Sequence, residues 1–305
     1  MPHATTRSEL LKRRLDRLTR ALPELDEGDV RALHRARVES RRLRELVPVL
    51  QIDHDATKKL SRRLRKLTSR LGTVRGLDVM LLGIDELHEA RRVQGSALAR
   101  VGVAVSKERD RARRRLFAHL PIEDVWRLVQ KLDRVVHDLK EHETSSSRTA
   151  ARHWKWSVDA RLERRAARVA SAILDAGAIY IPERLHAVRI ALKKMRYALE
   201  LSLDVAGVRG NADLRAFKRA QDLLGRLHDL QMLIERVRQE QASLAPPNLA
   251  VWRDLDALIS SLEDDCRRLH ARYMRMRDDL VAVVDRLGSD HAIMTSAAPR
   301  ARRAG

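Results

Sequence analysis

Cysteine is almost missing from this chain: Cys266 stands alone among 305 residues. That excludes an intrachain disulfide and a thiolate zinc cluster. Aromatic residues make up only 3%, too few for the stacking platforms that hold single-stranded nucleic acids. Glycine is sparse, with 12 residues, and no alternating Val/Ile/Thr runs between hairpin turns mark strands. No apolar run approaches the ~18 residues of a membrane span. The opening MPHATTRSELLKRR lacks the apolar stretch of a secretory signal. These absences predict a reducing, cytoplasmic setting without a membrane anchor. P-loop glycines, GxSxG and HExxH are missing as well.

What remains reads as helix nearly throughout. Apolar residues make up 44% and charged residues 34%, a balance that suits amphipathic helices packed on a core. Prolines at 2, 23, 48, 121, 182, 246, 247 and 299 act as punctuation, since proline starts or ends helices. Helices are predicted near 6–21, 29–47, 54–71, 75–91, 96–119 and 122–142. After the linker ETSSSR (143–148) come helices near 149–176, 183–205, 212–225, 227–242 and 248–287. Residues 288–305 read as a disordered basic tail.

The charge is one-sided. The 62 basic residues against 42 acidic ones give +20 and a pI of about 11.1. Eleven of the basic residues are lysines and 51 are arginines. Arginine presents a planar fork of donors that matches phosphate oxygens, so a polyanion partner explains the excess. A compositional bias toward arginine is the competing source.

The sequence also repeats itself. LHRARVESRRLREL (33–46) returns as LHAVRIALKKMRYALEL (185–201). His34 matches His186, Arg37 matches Arg189, Arg41 matches Lys193 and Arg44 matches Arg196, all at an offset of 152. RRLRKLTSRLGTVRGLDVML (62–81) then parallels RAFKRAQDLLGRLHDLQMLI (215–234) at an offset of 153. There Arg62 matches Arg215, Arg65 matches Lys218 and Lys66 matches Arg219. The period is too long for a solenoid. It predicts an all-α fold of two helical bundles, residues 1–142 and 149–287, related by an internal duplication and an approximate two-fold.

Helical geometry sorts these residues by face. At ~100° per residue, Arg37, Arg41 and Arg44 fall within ~80° of His34, opposite Ala36, Leu43, Leu46, Val47 and Leu50. His186, Arg189, Lys193 and Arg196 likewise oppose Val188, Met195, Ala198 and Leu199. Arg62, Arg65 and Lys66 oppose the stripe Leu60, Leu64, Leu67 and Leu71; Arg215, Lys218 and Arg219 oppose Phe217, Leu224 and Leu227. Like charges three and four apart repel by a few tenths of a kcal/mol per pair. A solvated face usually mixes signs, as KERDRARRRL (107–116) does. One such stripe alone reads equally well as solvated surface. Two stripes, each written twice, point to a concave surface where four cationic helix faces meet around a polyanion.

Other chemistries fare worse. Twelve histidines are present, but His137 and His142 are five apart, and a histidine flanked by arginines is a poor site for a divalent cation. No metal, cofactor or enzymatic activity is expected. Asp229 falls near the second basic stripe, yet its counterpart is Gly76; it reads as the partner of a neighbouring arginine or as a cap. The four tryptophans read as core or interface residues. Nonspecific DNA or RNA binding is the main alternative, since charge and pI favour it.

HxxRxxxRRxR at 34–44, HxxRxxxKKxRYxxE at 186–200, LGxxRxLDV at 71–79 and LGxLHDL at 224–230 resemble the CHAD family, the conserved histidine α-helical domain. The resemblance covers about residues 6–287. It implies two helical bundles about a pseudo-two-fold, enclosing a basic groove or pore that binds inorganic polyphosphate, and association with polyphosphate granules. The fourteen cationic and histidine positions named above would line the two halves. Family members often carry Arg-Asp where this chain has Arg75-Gly76. The catalytic CYTH domain that accompanies some members is missing, with its ExExK motif, which implies a binding protein rather than a polyphosphatase or cyclase.

Overall fold

A computed structural model describes residues 5–90, 95–119, 121–144, 148–208, 212–244 and 248–296. Among the described residues there are ten α-helices and no strands. They are α1 (Arg7–Arg20), α2 (Leu22–Asp26), α3 (Val30–Leu46), α4 (His54–Glu89) and α5 (Gly95–His119). Then follow α6 (Ile122–Thr144), α7 (Arg148–Ala176), α8 (Pro182–Ala206), α9 (Ala212–Ala242) and α10 (Leu249–Ser296).

Local signals set the ends of the helices that matter most. The Asp29 carboxylate accepts from the backbone N–H of Ala32 at 2.5 Å and starts α3. Asp53 accepts from the N–H of Ala56 at 2.8 Å and starts α4. Pro182 opens α8, where its missing N–H costs nothing. Gly207 closes α8 at φ 69°, the left-handed conformation that glycine adopts without a Cβ penalty.

Three apolar cores hold these helices. The first gathers α1–α4 and α6, and takes in Trp154 and Val158 of α7 with Leu201 and Val205 of α8. The second is built from α7, α8, the start of α9 and the latter part of α10. The third joins the end of α4 to α5, the end of α9 and the start of α10. The expected halves, 1–142 and 149–287, thus each supply most of one core and share the third. Every residue assigned above to a buried stripe of α3, α4, α8 or α9 is buried.

Four expected boundaries need correction. Residues 54–71 and 75–91 form the single helix α4, with Gly72 and Gly76 inside it. Residues 212–225 and 227–242 form the single helix α9, with Gly225 inside it. A glycine in a helix costs ~1 kcal/mol against alanine. Here the buried stripe outweighs it, continuing through Val74, Leu77, Ile84 and Leu87 in α4 and through Leu230, Leu233 and Val237 in α9. The linker is shorter than 143–148, since α6 runs to Thr144 and α7 starts at Arg148. The tail is shorter too, since α10 continues to Ser296; residues 297–305 lie outside the described ones.

Candidate functional site

α3 and α8 pack against each other, and their basic stripes meet at the contact. Arg37, Arg41, Arg189 and Lys193 crowd there. Burial pushes the Lys193 ammonium down to about 6, and Arg41, Arg189 and Arg37 push it the same way. Arg37 is lowered to about 10, by burial first and then by Arg41, with Arg189 and Arg75 adding to it. Its guanidinium lies against α4 at Gly72, where an added Cβ would meet Nε at 3.5 Å. The Arg37 Nε is buried with no hydrogen-bond partner. Among the described residues none of the four has a carboxylate at ion-pair distance.

The cluster opens into a cavity of about 440 Å³ between α3, α4, α7 and α8. Arg41 and Arg44 of α3, Arg65 of α4 and Lys193 of α8 line it. Arg161, Arg165 and Arg168 of α7, Lys194 of α8 and Tyr197 line it as well. Its one carboxylate, Glu45, accepts from Arg161 Nε at 2.8 Å and from Arg165 Nη2 at 2.9 Å. Burial lowers Arg44, and Arg65, Arg41 and Arg165 lower it further against the pull of Glu45. Burial also lowers Lys194, followed by Arg165.

The histidines flank this cluster on the N-terminal side of both helices. Burial lowers His34, and then Arg75 of α4 does. Burial lowers His186, and then Arg189. Its Nδ1 lies 3.1 Å from Nδ1 of His228 on α9. His228 falls to about 4, by burial first and then by Arg189, His186 and Lys193. Asp229 beside it is raised by burial, against Arg189, Arg226 and Arg75, which lower it.

The opposite side of α3 and α8, toward α1 and α9, is neutralised. Arg42 binds Glu39 at 2.6 Å and Glu200 at 3.0 Å. Arg14 of α1 pairs with Asp204 and approaches Glu39 at 3.8 Å. Arg196 pairs with Glu200, donates to Gln221 of α9 at 2.8 Å and lies 4.5 Å over the Tyr197 ring. The repeated sequence therefore carries an unequal charge pattern: cations of α3, α4 and α8 without ion-pair partners among the described residues on one side, where Glu45 answers Arg161 and Arg165 of α7, and ion pairs through Glu39, Glu200 and Asp204 on the other.

Of the fourteen residues expected to line the site, the structure brings Arg37, Arg41, Arg44, Arg65, Arg189 and Lys193 together, with His34 and His186 beside them. Arg196 is adjacent but bound to Glu200. Arg62, Arg215 and Lys218 are exposed on α4 and α9. Lys66 lines a separate groove facing α6, and Arg219 lines one between α9 and α10. Sequence reasoning missed Arg75, His228, Lys194 and the arginines of α7. Spacings of four and three in RLERRAAR put Arg161, Arg165 and Arg168 on one face, and that signal would have found them.

A family model for the CHAD domain matches residues 9–238. The chain belongs to the CHAD family. No curated protein matches it. Among solved structures it is similar to the CHAD domain from the plant Ricinus communis, with a TM-score of 0.59 and 22% identity over 91% of this chain and 90% of that one. It is also similar to PptA from Streptomyces chartreusis, with a TM-score of 0.55 and 17% identity over 96% of this chain and 100% of that one. At these identities the likeness is one of fold, and it covers nearly the whole CHAD architecture. Among the described residues no helix is long and apolar enough to cross a membrane.

Proposed function

We propose that this CHAD domain binds inorganic polyphosphate in the cavity between α3, α4, α7 and α8. The carrying observation is the knot of Arg37, Arg41, Arg189 and Lys193, which repel one another with no carboxylate at ion-pair distance among the described residues. Burial first, and then the repulsion of Arg41, Arg189 and Arg37, hold Lys193 down to about 6. A chain of phosphates supplies the missing negative charge: arginine forks bind its oxygens in pairs, and lysines act as point charges. CHAD domains are associated with polyphosphate binding, which supports the same reading.

The domain acts by binding rather than hydrolysis on this reading. Glu45, the cavity's carboxylate, is already engaged by two arginines, so it is poorly placed to activate water. Association with polyphosphate granules in the cytoplasm follows from the same affinity. Nucleic acid fits less well. Tyr197 is the one aromatic residue of the cavity, and Arg196 already covers its ring.

The test is competition between long polyphosphate and duplex DNA at matched phosphate and salt. Polyphosphate should displace DNA at far lower concentration, and Arg41→Glu with Lys193→Glu should abolish the preference. Equal competition by the two would assign the surface to general polyanion binding instead.

A further inference from the structure

We propose that the groove between α4 and α6 is a second polyanion site, which takes the polyphosphate chain as it leaves the central cavity across α4. The proposal rests on the reading of the central cavity given above.

The groove has a volume of about 350 Å³. Leu67, Val125 and Leu128 form its apolar floor. Arg63, Lys66 and Arg70 of α4 and Lys131 and Arg134 of α6 form its walls. It continues along the same two helices into a recess of about 240 Å³, where Arg63 and Lys131 are joined by Lys59. The one carboxylate at its edge, Asp124, is held by Arg127 at 2.9 Å. None of the five wall cations has a carboxylate at ion-pair distance among the described residues; Arg70 donates to the carbonyl of His119.

This segregation of sign is not general in the chain. Other acids of α6 have partners away from the groove: Asp133 binds Lys12 at 3.1 Å, Glu141 meets His137 at 3.2 Å and Glu143 meets Arg7 at 3.3 Å. On α10 exposed arginines pair locally, Arg267 with Asp264 and Arg268 with Asp265. A surface that was merely arginine-rich would mix signs in the groove too.

Position links the groove to the central cavity. Arg65 lines the cavity and the next residue, Lys66, lines the groove, so the two are separated by the width of α4, ~10 Å. Arg62 is exposed on the same helix. On the α1 and α9 side the cations are already answered by Glu39, Glu200 and Asp204, so that side offers an emerging chain little. Crossing a helix requires a ligand that bends within a nanometre. An unbranched phosphate chain does so; duplex DNA, stiff over ~150 bp, does not.

The experiment compares the affinity of a short polyphosphate, confined to the central cavity, with that of a long one at fixed salt. Lys131→Glu with Arg134→Glu should weaken long-chain binding about tenfold and leave short-chain binding within about twofold. Arg114→Glu with Arg115→Glu, the same charge change on exposed α5, should leave both unchanged. Lys131→Gln with Arg134→Gln should give a smaller loss in the same direction, and it serves if charge reversal impairs folding. An unchanged long-chain affinity overturns the proposal. So does an equal loss for both chains, which would be a general field effect, or a loss confined to duplex DNA. A wild type that binds neither chain would sink the central-cavity reading along with this one, an outcome distinct from the other three.

Discussion

The Nδ1 atoms of His186 on α8 and His228 on α9 lie 3.1 Å apart. One ring must donate and the other accept, so both cannot be imidazolium while the contact stands. The surroundings set the same limit: Arg189 and Lys193 face both rings, and His228 is held down to about 4. The pair is a neutral neighbour for a crowd of cations.

Binding should therefore take up protons. Lys193 at about 6, His228 at about 4 and the lowered His34 and His186 are all bases depressed by burial and positive neighbours. Asp229, raised by burial, is lowered by the same cations, Arg189 first. A bound phosphate chain reverses the field and raises the bases. Groups that hold protons more tightly in the complex strengthen it as pH falls. Polyphosphate affinity should rise from pH 8 to pH 6 at constant salt, and His186→Gln with His228→Gln should flatten part of that slope. A flat profile in the wild type would show that these groups do not titrate with the ligand.

Lys193 also sets a trade between stability and binding. Its folded value of about 6 lies far below the ordinary lysine value of 10.5, so the unfolded chain binds the proton more tightly. The stability of the free protein from this group is present above pH ~10.5 and is lost as pH falls toward about 6. Lys193→Met removes both the buried amine and the repulsion. We expect a gain of ~1–2 kcal/mol without ligand, read as a melting temperature higher by ~2–4 °C per kcal/mol. The gain should be greater at pH 6 than at pH 9, and polyphosphate binding should weaken. A variant less stable than wild type at pH 6 would mean that the lysine is a favourable buried partner.

The faces of α3, α4, α8 and α9 were legible because burial follows the 3.6-residue period: Leu64 and Leu71, or Val188 and Met195, can only point inward together. The repeat pointed to cationic faces that meet, but the meeting of Arg37 with Arg189 and of Arg41 with Lys193 comes from the packing of α3 on α8. The continuity of α4 was not legible, because Gly72 and Gly76 look like stops unless the third core is known. Nor was the imbalance between the two sides: local spacing offers Arg42 to Glu39 and Arg196 to Glu200, but the pairs from Arg14 to Glu39, Arg42 to Glu200 and α7 to Glu45 join distant helices.

That imbalance separates matched positions. Arg44 and Arg196 correspond in the repeat, yet Arg44 lines the open cavity and Arg196 is bound to Glu200 and Gln221. Arg44→Ala should weaken polyphosphate binding and leave the melting temperature near wild type. Arg196→Ala leaves Glu200 with one partner fewer and should cost ~1–3 kcal/mol of stability, with little effect on binding. Equal effects on binding from the two variants would mean that ligand also reaches the α1 and α9 side.

The salt dependence of affinity should separate the residues that touch the ligand from those that merely add charge. Each phosphate neutralised by a cation releases counterions, and log K falls with log salt by ~0.7 per contact on single-stranded polyanions. Arg41→Gln with Arg44→Gln removes two cations of the cavity. The slope should become shallower by ~1.4 and the affinity should fall. Arg215→Gln with Lys218→Gln removes the same charge from the exposed face of α9, outside the cavity. Screening over ~10 Å at 0.1 M salt leaves so distant a charge little influence, so that slope should match wild type. The measurement is polyphosphate affinity across a salt series for the three proteins. A slope that drops equally in both variants would place contacts on α9 as well, and would restore the symmetric site that the repeated sequence first suggested.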